Sequence, residues 1–301
     1  MPKKNVENNQ KLLQLVKKAH GMIENDNLEK ARHSQEYIGA LVGRSKELNY
    51  KVFTVDGICG EWISVNYVHI KKKLILHCHG GGYSTGGSMY ARTITSKLAV
   101  NTGIDVVCFD YRLAPEFPYP AALTDALAIW DHLMYLGYGA KDIIVTGDSA
   151  GGNLALALML KLKEQNRILP AGLVLMSPWT DLTSSGESFT EKEPVDPVLT
   201  NEYIYKMVDA YAGNYNLKEP LISPLFGSFK DFPPTYIQVG ENEILLSDSQ
   251  RLYKKMKKQG VPVALDIFPG MWHVFQMAPF KGAAEALDRV TDFILNKTFI
   301  S

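Results

Sequence analysis

The sequence predicts an α/β fold in which a mainly parallel central sheet is flanked by helices. Short runs rich in β-branched and other apolar residues alternate with helical stretches from about residue 50 onward, which is typical of parallel strands joined by crossover helices. The chain has 301 residues, of which 46% are hydrophobic. That is enough to bury one large core, and sheets of this class often form a single domain at this length.

Seven apolar runs are predicted as strands. They span residues 51–55, 74–78, 106–109, 143–146, 173–176, 235–239 and 263–268. Most of them are almost continuously apolar, as expected for strands that helices cover on both faces. We therefore predict one mainly parallel sheet with helical layers.

Two segments outside this alternation are predicted to form a helical cap. Residues 1–45 lack strand patterns and are interpreted as two amphipathic helices with apolar residues among lysines. The alternation stops again at about residues 180–220, where a polar, proline-marked segment leads into a tyrosine-rich stretch. We expect a cap segment at residues 1–45 and a main domain at residues 46–301 that carries a cap insertion at about 180–220.

The charge balance disfavours several classes of partner. Lys and Arg number 32, and Asp and Glu also number 32, so the formal net charge is zero. A nucleic-acid partner is not expected, because binding many phosphates needs a basic surface. The longest apolar stretch outside the first residues, 154–160, is far below the ~18 residues of a membrane-spanning helix, so stable membrane insertion is not expected.

The beginning of the sequence and its cysteines indicate a cytoplasmic location. The lysine-rich start has no apolar run long enough for a secretory signal. Cys59, Cys78 and Cys108 form an odd set without Cys-x-x-Cys spacing, and two of them lie in strand-like runs, which favours reduced structural thiols. The sequence shows no clustered metal ligands, so neither a metal nor another cofactor is expected.

Ser149 lies in a strand-to-helix turn suited to a nucleophile. Residues 147–151 read Gly-Asp-Ser-Ala-Gly, between a predicted strand and a helical run that begins at Asn153. This turn is so tight that the residues two before and two after the serine must be small. The alternative is a glycine-rich turn whose serine only caps the helix. The strand and helix on either side favour a nucleophile held at the carboxyl edge of the sheet.

Three adjacent glycines follow the second predicted strand, in the segment His-Gly-Gly-Gly-Tyr at residues 79–83. Such glycines let backbone N–H groups converge on one point, where they stabilise a developing negative charge. We expect the N–H groups of Gly81, Gly82 and Ala150 to form an oxyanion hole. A phosphate-binding loop is the alternative, but Thr85 stands at the sixth position of G-x-G-x-x-G and no Gly-Lys-Ser/Thr follows.

His273 is the predicted general base. It follows the last predicted strand, in the segment Pro-Gly-Met-Trp-His at residues 269–273. In sites of this type the chain order is serine, acid, histidine. The six other histidines all precede Ser149 and are excluded by that order. The alternative is a hydrogen-bonded core histidine beside Trp272.

The acid is expected between the serine and the histidine, directly after a strand. The segment after the sixth predicted strand supplies three carboxylates, Glu241, Glu243 and Asp248. Glu243 is preferred because it lies four residues beyond Val239, whereas Asp248 lies nine beyond it and is expected inside the next helix. Any of the three is alternatively a solvated loop charge or a helix cap.

Together these motifs resemble the hormone-sensitive-lipase-like family (family IV) of bacterial esterases and lipases, which has the α/β-hydrolase fold. The resemblance rests on residues 79–82, on residues 147–152 and on the block Asp-Tyr-Arg-Leu-Ala-Pro-Glu at residues 110–116. It runs from about residue 40 to the end of the chain. The acid departs from the family pattern, since the usual Asp-Pro-Leu is Glu-Ile-Leu at residues 243–245, but a branch with glutamate exists.

The resemblance implies a serine carboxylesterase that acts on short- to medium-chain acyl esters through an acyl-enzyme. Its triad would be Ser149, Glu243 and His273, within the catalytic domain of residues 46–301. The family's helical cap agrees with the two cap segments expected above. In the third block the resemblance implies that Arg112 and Glu116 orient and pair as structural support. Homodimers are common in the family, so a homodimer is a candidate assembly.

Two other functions share this pattern. An amidase or carbamate hydrolase would use the same triad, and only its leaving group and cap would differ. A non-catalytic small-molecule binding member of the fold would lack the histidine, whereas His273 is present. The expected partner is thus a small-molecule ester. Tyr83, Tyr203, Tyr205 and Tyr211 are candidates for the pocket wall or for core packing.

Overall fold

The computed structural model describes residue 14, residues 28–41, residues 45–67 and residues 72–298. The second helix expected for residues 1–45 is α1, Leu28–Leu41. The first lies outside the described residues, apart from the helical Gln14. None of the described helices is long and apolar enough to cross a membrane.

Eight strands form one sheet in the order β1-β2-β4-β3-β5-β6-β7-β8. Their bounds are β1 Leu48–Val55, β2 Ile58–Val65, β3 Leu74–Cys78, β4 Asp105–Phe109, β5 Ile143–Asp148, β6 Gly172–Met176, β7 Thr235–Gly240 and β8 Val263–Phe268. Pairs β1/β2 and β2/β4 are antiparallel, and the others are parallel. The prediction of a mainly parallel sheet is therefore confirmed, and the carboxyl ends of β3 to β8 share one edge, where sites of such sheets lie.

The antiparallel strand β2 was not among the predicted strands. It joins β1 through a two-residue turn at Asp56 and Gly57, both with positive φ, and Asp-Gly is a strong hairpin signal. Gly60 and the charged Glu61 interrupt the apolar pattern of β2, so this strand has no continuous apolar run. Glu61 is buried because its carboxylate accepts two hydrogen bonds from Arg92.

Helices cover both faces of the sheet. Their bounds are α2 Ser88–Thr102, α3 Ala121–Tyr135, α4 Ala150–Glu164, α5 Ser188–Glu191, α6 Asn201–Ala212, α7 Leu246–Lys258 and α8 Lys281–Phe293. Alternate residues of β3 point to opposite faces. Leu74 and Leu76 belong to the core cluster that includes α3, α4 and α7, whereas Ile75 belongs to the cluster that includes α2 and α8.

The segment between β6 and β7 contains α5 and α6 before a short 3-10 helix at Pro224–Phe226. Helix α6 begins where the Thr200 hydroxyl accepts a hydrogen bond from the Tyr203 N–H. The buried side of α6, including Ile204 and Tyr211, joins the same core cluster as α4. This segment corresponds to the cap insertion expected at about residues 180–220, although the division into a cap and a catalytic domain stays a prediction.

Candidate active site

Ser149 lies at the turn between β5 and α4, with φ 53° and ψ −122°. A left-handed φ is unusual for serine, and here the tight approach of neighbouring backbones imposes it. A Cβ atom on Gly151 would lie 2.0 Å from the carbonyl oxygen of Cys78 in β3, so only glycine fits there. The turn thus presents the Ser149 side chain at the carboxyl edge of the sheet.

His273 lies in the loop after β8 and is 7% exposed. Its Nε2 is 2.9 Å from Ser149 Oγ, across 124 positions of the sequence. Its Nδ1 is 3.2 Å from Oε1 of Glu243. With the proton of the neutral ring on Nδ1, that N–H donates to Glu243, and Nε2 is free to accept the hydroxyl proton of Ser149.

Glu243 is fully buried at the end of β7, three residues beyond Gly240. A buried carboxylate needs compensating donors. Besides His273, it has two: the Gly240 N–H and the Ser177 hydroxyl each donate to Oε2 at 2.8 Å. Glu243 is thereby held with Oε1 directed at the imidazole.

These contacts change the proton affinity of His273, the predicted base. Burial lowers the pKa of His273, but the hydrogen bond and charge of Glu243, together with the charges of Asp196 and Asp148, raise it by more. The pKa of His273 therefore lies above its ordinary value of 6.5. The site stabilises the imidazolium that forms when the ring takes a proton.

The other two candidate acids have different partners. Asp248 lies inside α7, as expected, and its Oδ2 accepts hydrogen bonds from the N–H groups of Thr180 and Asp181. Glu241 accepts a 2.8 Å hydrogen bond from the Gly270 N–H. Both carboxylates therefore support loops. Of the three, Glu243 is the one whose carboxylate meets the His273 ring.

The loop of residues 81–86 contains two of the residues predicted to form the oxyanion hole and is called the oxyanion loop after that prediction. Gly81 and Gly82 have φ of 117° and 61°, values that favour glycine. In the part of the chain that the structure describes, the N–H groups of Gly81, Gly82 and Ala150 donate no hydrogen bond. The Gly80 N–H, by contrast, donates to Asp148 Oδ1 and so joins the loop to the end of β5. Three free donors are what a transient oxyanion requires.

Helix α6 lies directly over this loop. A Cβ atom on Gly82 would lie 2.8 Å from Cγ of Met207 and 3.0 Å from the hydroxyl oxygen of Tyr203. The space beside Gly82 is therefore small. Tyr205 is 54% exposed. Of the four candidate tyrosines, Tyr203 is the one whose hydroxyl lies beside Gly82.

Tyr83 and Tyr211 pack in the core. Both are at most 1% exposed, and their rings stack with centroids 3.6 Å apart. The Tyr83 hydroxyl donates a 2.7 Å hydrogen bond to Oδ1 of Asn153 in α4. Core packing, the second of the two expectations, therefore describes these two residues.

The third sequence block, residues 110–116, contacts the segment that leads into the oxyanion loop. Arg112 pairs with Asp125 of α3, Nη2 to Oδ1 at 2.7 Å, and Glu116 pairs with Arg32 of α1 at 2.8 Å. Both residues of the block form ion pairs, as the resemblance implied, but with partners outside it. The hydroxyl of Tyr111 donates to the carbonyl of His79 at 2.8 Å.

Two residues around Glu243 were not predicted from the sequence. Ser177, just after β6, donates to Glu243 and also accepts a 3.2 Å hydrogen bond from the Val274 N–H. Asp196 is 3% exposed and accepts a hydrogen bond from the Ile244 N–H, next to the acid. Burial raises the pKa of Asp196 to about 6. A positive φ at Ser177 is visible only in the structure, so no sequence signal marked it.

No group of three or more His, Cys, Asp or Glu side chains arranged to hold a metal ion occurs among the described residues. Cys78 and Cys108 are buried free thiols, whereas Cys59 is exposed. Burial raises the pKa of the Cys78 and Cys108 thiols. A buried thiol with a raised pKa is a poor nucleophile.

Comparisons with known proteins agree with this fold. The family described as having the α/β hydrolase fold matches residues 75–277. An esterase of Acinetobacter venetianus is 41% identical over 224 residues, which cover 73% of this chain and 74% of that protein. An acetyl-hydrolase of Streptomyces hygroscopicus is 34% identical over 224 residues, which cover 74% of each protein.

A solved structure extends the likeness to nearly the whole chain. The crystal structure of an esterase from the bacterial hormone-sensitive lipase family is 31% identical and matches with a TM-score of 0.91, over 96% of this chain and 98% of that one. The fold, the family match and the two relatives lead to one conclusion. The chain belongs to the hormone-sensitive-lipase-like family of the α/β-hydrolase fold and is an esterase.

Proposed function

We propose that this esterase hydrolyses short- to medium-chain acyl esters through the triad Ser149, His273 and Glu243 and an acyl-enzyme intermediate. One observation carries the proposal. Ser149 Oγ, the two ring nitrogens of His273 and the Glu243 carboxylate form a continuous hydrogen-bonded chain, with distances of 2.9 and 3.2 Å. This is the arrangement in which a base activates a serine and an acid orients the base.

In the acylation step, Ser149 Oγ attacks the ester carbonyl carbon while Nε2 of His273 takes the hydroxyl proton. The carbonyl oxygen gains negative charge, which the N–H groups of Gly81, Gly82 and Ala150 stabilise. Glu243 stabilises the imidazolium. When the tetrahedral intermediate collapses, the C–O bond to the alcohol breaks, and the alcohol leaves with the proton from Nε2.

In the deacylation step, water replaces the alcohol. Nε2 of His273 removes a proton from the water as it attacks the acyl carbon, and the same oxyanion donors act again. Collapse of the second intermediate breaks the bond to Ser149 Oγ, which recovers its proton from the imidazolium. The carboxylic acid product then leaves.

The contacts of α6 support a preference for short acyl chains. Met207 and Tyr203 leave no room for a Cβ atom on Gly82, so little space remains for a long acyl group beside the proposed oxyanion donors. The Streptomyces hygroscopicus relative is named an acetyl-hydrolase, which fits the same size range.

Amidase or carbamate hydrolase activity is the alternative within the same site. The proposed triad and oxyanion donors would serve either reaction, and neither the fold nor the triad selects the leaving group. A purely binding role is disfavoured, since Ser149 and His273 are in hydrogen-bond contact at 2.9 Å.

A panel of p-nitrophenyl esters from acetate to palmitate, with the matched acetanilide and carbamate, tests the proposal. We expect the highest kcat/KM on the short- and medium-chain esters and far lower rates on the anilide and carbamate. Faster hydrolysis of palmitate than of butyrate would contradict the proposed chain length. Faster cleavage of the anilide or carbamate would replace the ester as the substrate class.

A further inference from the structure

Arg32 of the first described cap helix, α1, holds two buried carbonyl groups. Its Nε donates to the carbonyl of Ser84 at 2.8 Å, and its Nη2 donates to the carbonyl of Ala114 at 2.9 Å. The two Nη groups also donate to the Glu116 carboxylate at 2.8 Å each. One planar guanidinium thus binds three groups in two segments of the chain, which a lysine ammonium could not match in geometry.

The carbonyl of Ser84 belongs to the turn that shapes the oxyanion loop. The carbonyl oxygen of Gly81 accepts hydrogen bonds from the N–H groups of Ser84 and Thr85 and from the Thr85 hydroxyl. Gly82 lies inside this turn. A displacement of Ser84 would therefore rotate the peptide groups whose N–H groups face the oxyanion.

Ser84 and Ala114 are buried, at 0% and 1% exposure. In the described part of the chain, Arg32 is the donor to both carbonyls. A buried carbonyl that loses its donor has a large desolvation cost, so the loop would move to satisfy it. The adjacent Tyr83 carbonyl accepts the Ala114 N–H at 2.9 Å, which couples the two segments that Arg32 joins.

The rest of α1 fixes its distance from the loop. Gln35 lies three residues beyond Arg32, on the same side of the helix, and its Oε1 accepts a 2.7 Å hydrogen bond from the Gly86 N–H. Gly39 follows on that side, and a Cβ atom there would lie 2.5 Å from the carbonyl oxygen of Met89. Helix α1 therefore approaches the start of α2, which follows the loop, as closely as the two backbones permit.

The carboxylate of Glu116 stays charged, and so keeps its ion pair with Arg32, at all pH values at which a serine esterase works. The Arg32 hydrogen bond is the main cause that lowers the pKa of Glu116 to about 2. Glu116 is half exposed, so the pair itself adds little stability. The contacts through which Arg32 acts on the loop are therefore those with the carbonyls of Ser84 and Ala114.

We propose that Arg32 is a positioning residue for catalysis, which acts from the cap helix by fixing the oxyanion loop through Ser84. The inference rests on the proposed function, because it assigns the loop glycines to the oxyanion. Docking of α1 and formation of the oxyanion hole are then one event. If α1 moves away from the loop, the N–H groups of the oxyanion hole lose their catalytic geometry.

The test compares Arg32→Met and Arg32→Lys with Glu116→Gln, which keeps both carbonyl contacts. Arg289→Met is a matched control, since Arg289 pairs with Asp266 at 2.8 Å on an exposed surface. The readouts are kcat and KM on p-nitrophenyl butyrate, per titrated active site, and the Ki of an alkyl trifluoromethyl ketone, whose adduct carries an oxyanion.

We expect Arg32→Met to lower kcat on the order of tenfold to a hundredfold, as a misplaced oxyanion donor does, with KM little changed. The Ki of the ketone should rise by a similar factor. Arg32→Lys should show a smaller loss at a melting temperature close to that of the wild type. Glu116→Gln and Arg289→Met should stay within about twofold of the wild type, since loss of an exposed ion pair changes little.

Wild-type kcat and ketone affinity in both Arg32 variants would overturn the inference, as would equal losses in Arg32→Met and Glu116→Gln. If Arg32→Met does not fold, Arg32→Lys decides. A wild-type protein that neither cleaves the ester nor binds the ketone would instead overturn the proposed function and this inference with it. The two failures are thus distinguished by the wild-type measurement.

Discussion

The hydroxyl group of Ser177 connects the acid and the base of the candidate site. It donates a 2.8 Å hydrogen bond to Oε2 of Glu243 and accepts a 3.2 Å hydrogen bond from the N–H of Val274, the residue after His273. Two loops that leave neighbouring strands are thereby held in one orientation. The hydrogen bond to the carboxylate is of the charge-assisted kind, which is stronger than a neutral one.

Ser177→Ala should therefore lower kcat on the order of tenfold to a hundredfold, because a hydrogen bond to a charged group contributes ~1.5–3 kcal/mol. Steady-state kinetics on p-nitrophenyl butyrate measure the loss. Ser249→Ala is the matched control, since the buried hydroxyl of Ser249 has no hydrogen-bond partner in the described part of the chain. Equal activity of the two variants would show that Ser177 has no orienting role.

Glu243→Gln should reduce kcat by roughly 10³–10⁴-fold, because an amide favours the wrong tautomer of His273. Asp248→Asn should have a small effect, since its amide oxygen still accepts from the Thr180 and Asp181 N–H groups. The comparison needs only kcat for each purified variant. The reverse ranking would assign the acid to Asp248.

The pH dependence of kcat/KM reports on His273, which must be neutral to act as base. Activity is lost as pH falls through its pKa, and because that pKa is raised, the midpoint should lie above the ordinary value of 6.5. The negative charge of Asp196 is one of the causes. Asp196→Asn should therefore move the midpoint to lower pH.

The control for this shift is Asp266→Asn, which removes a carboxylate that pairs with Arg289 on the surface. Its profile should coincide with that of the wild type. A shift of the same size in both variants would indicate a general charge effect and contradict a specific effect of Asp196.

Asp248 should make the stability of the protein depend on pH. Burial raises its pKa from 3.8 to about 7. Between these values the folded protein keeps a proton that the unfolded chain releases, so the free energy of unfolding falls as pH rises through this window. Asp248→Asn should weaken that fall. Urea unfolding at about pH 5 and about pH 8 measures it, and equal pH dependence of both proteins would contradict the assignment.

The parallel strands and the serine, glycine and histidine motifs could be predicted because their signals are local. Continuous apolar runs mark strands buried on both faces, and a tight turn restricts the residues around Ser149 by sterics alone. Strand β2 was hidden by Gly60 and the charged Glu61, whose burial depends on Arg92. Such compensation by a distant residue leaves no pattern in the strand itself.

The supporting residues of the site could not be predicted for the same reason. Ser177 and Glu243 are 66 positions apart, and Arg32 and Ser84 are 52 apart, so only the fold brings them together. Without knowledge of the fold, a serine before a proline reads as a turn residue. The homodimer, the cytoplasmic location and the division into domains stay predictions.

Covalent labelling of the nucleophile tests the central claim most directly. The protein is treated with a p-nitrophenyl dialkyl phosphate, and the adduct is located by peptide mass mapping in the wild type and in Ser149→Ala. We expect one adduct per chain on Ser149, formed in proportion to the loss of esterase activity, and neither adduct nor activity in a folded Ser149→Ala. An adduct on another residue, or residual activity of Ser149→Ala above a few per cent of the wild type, would contradict the account.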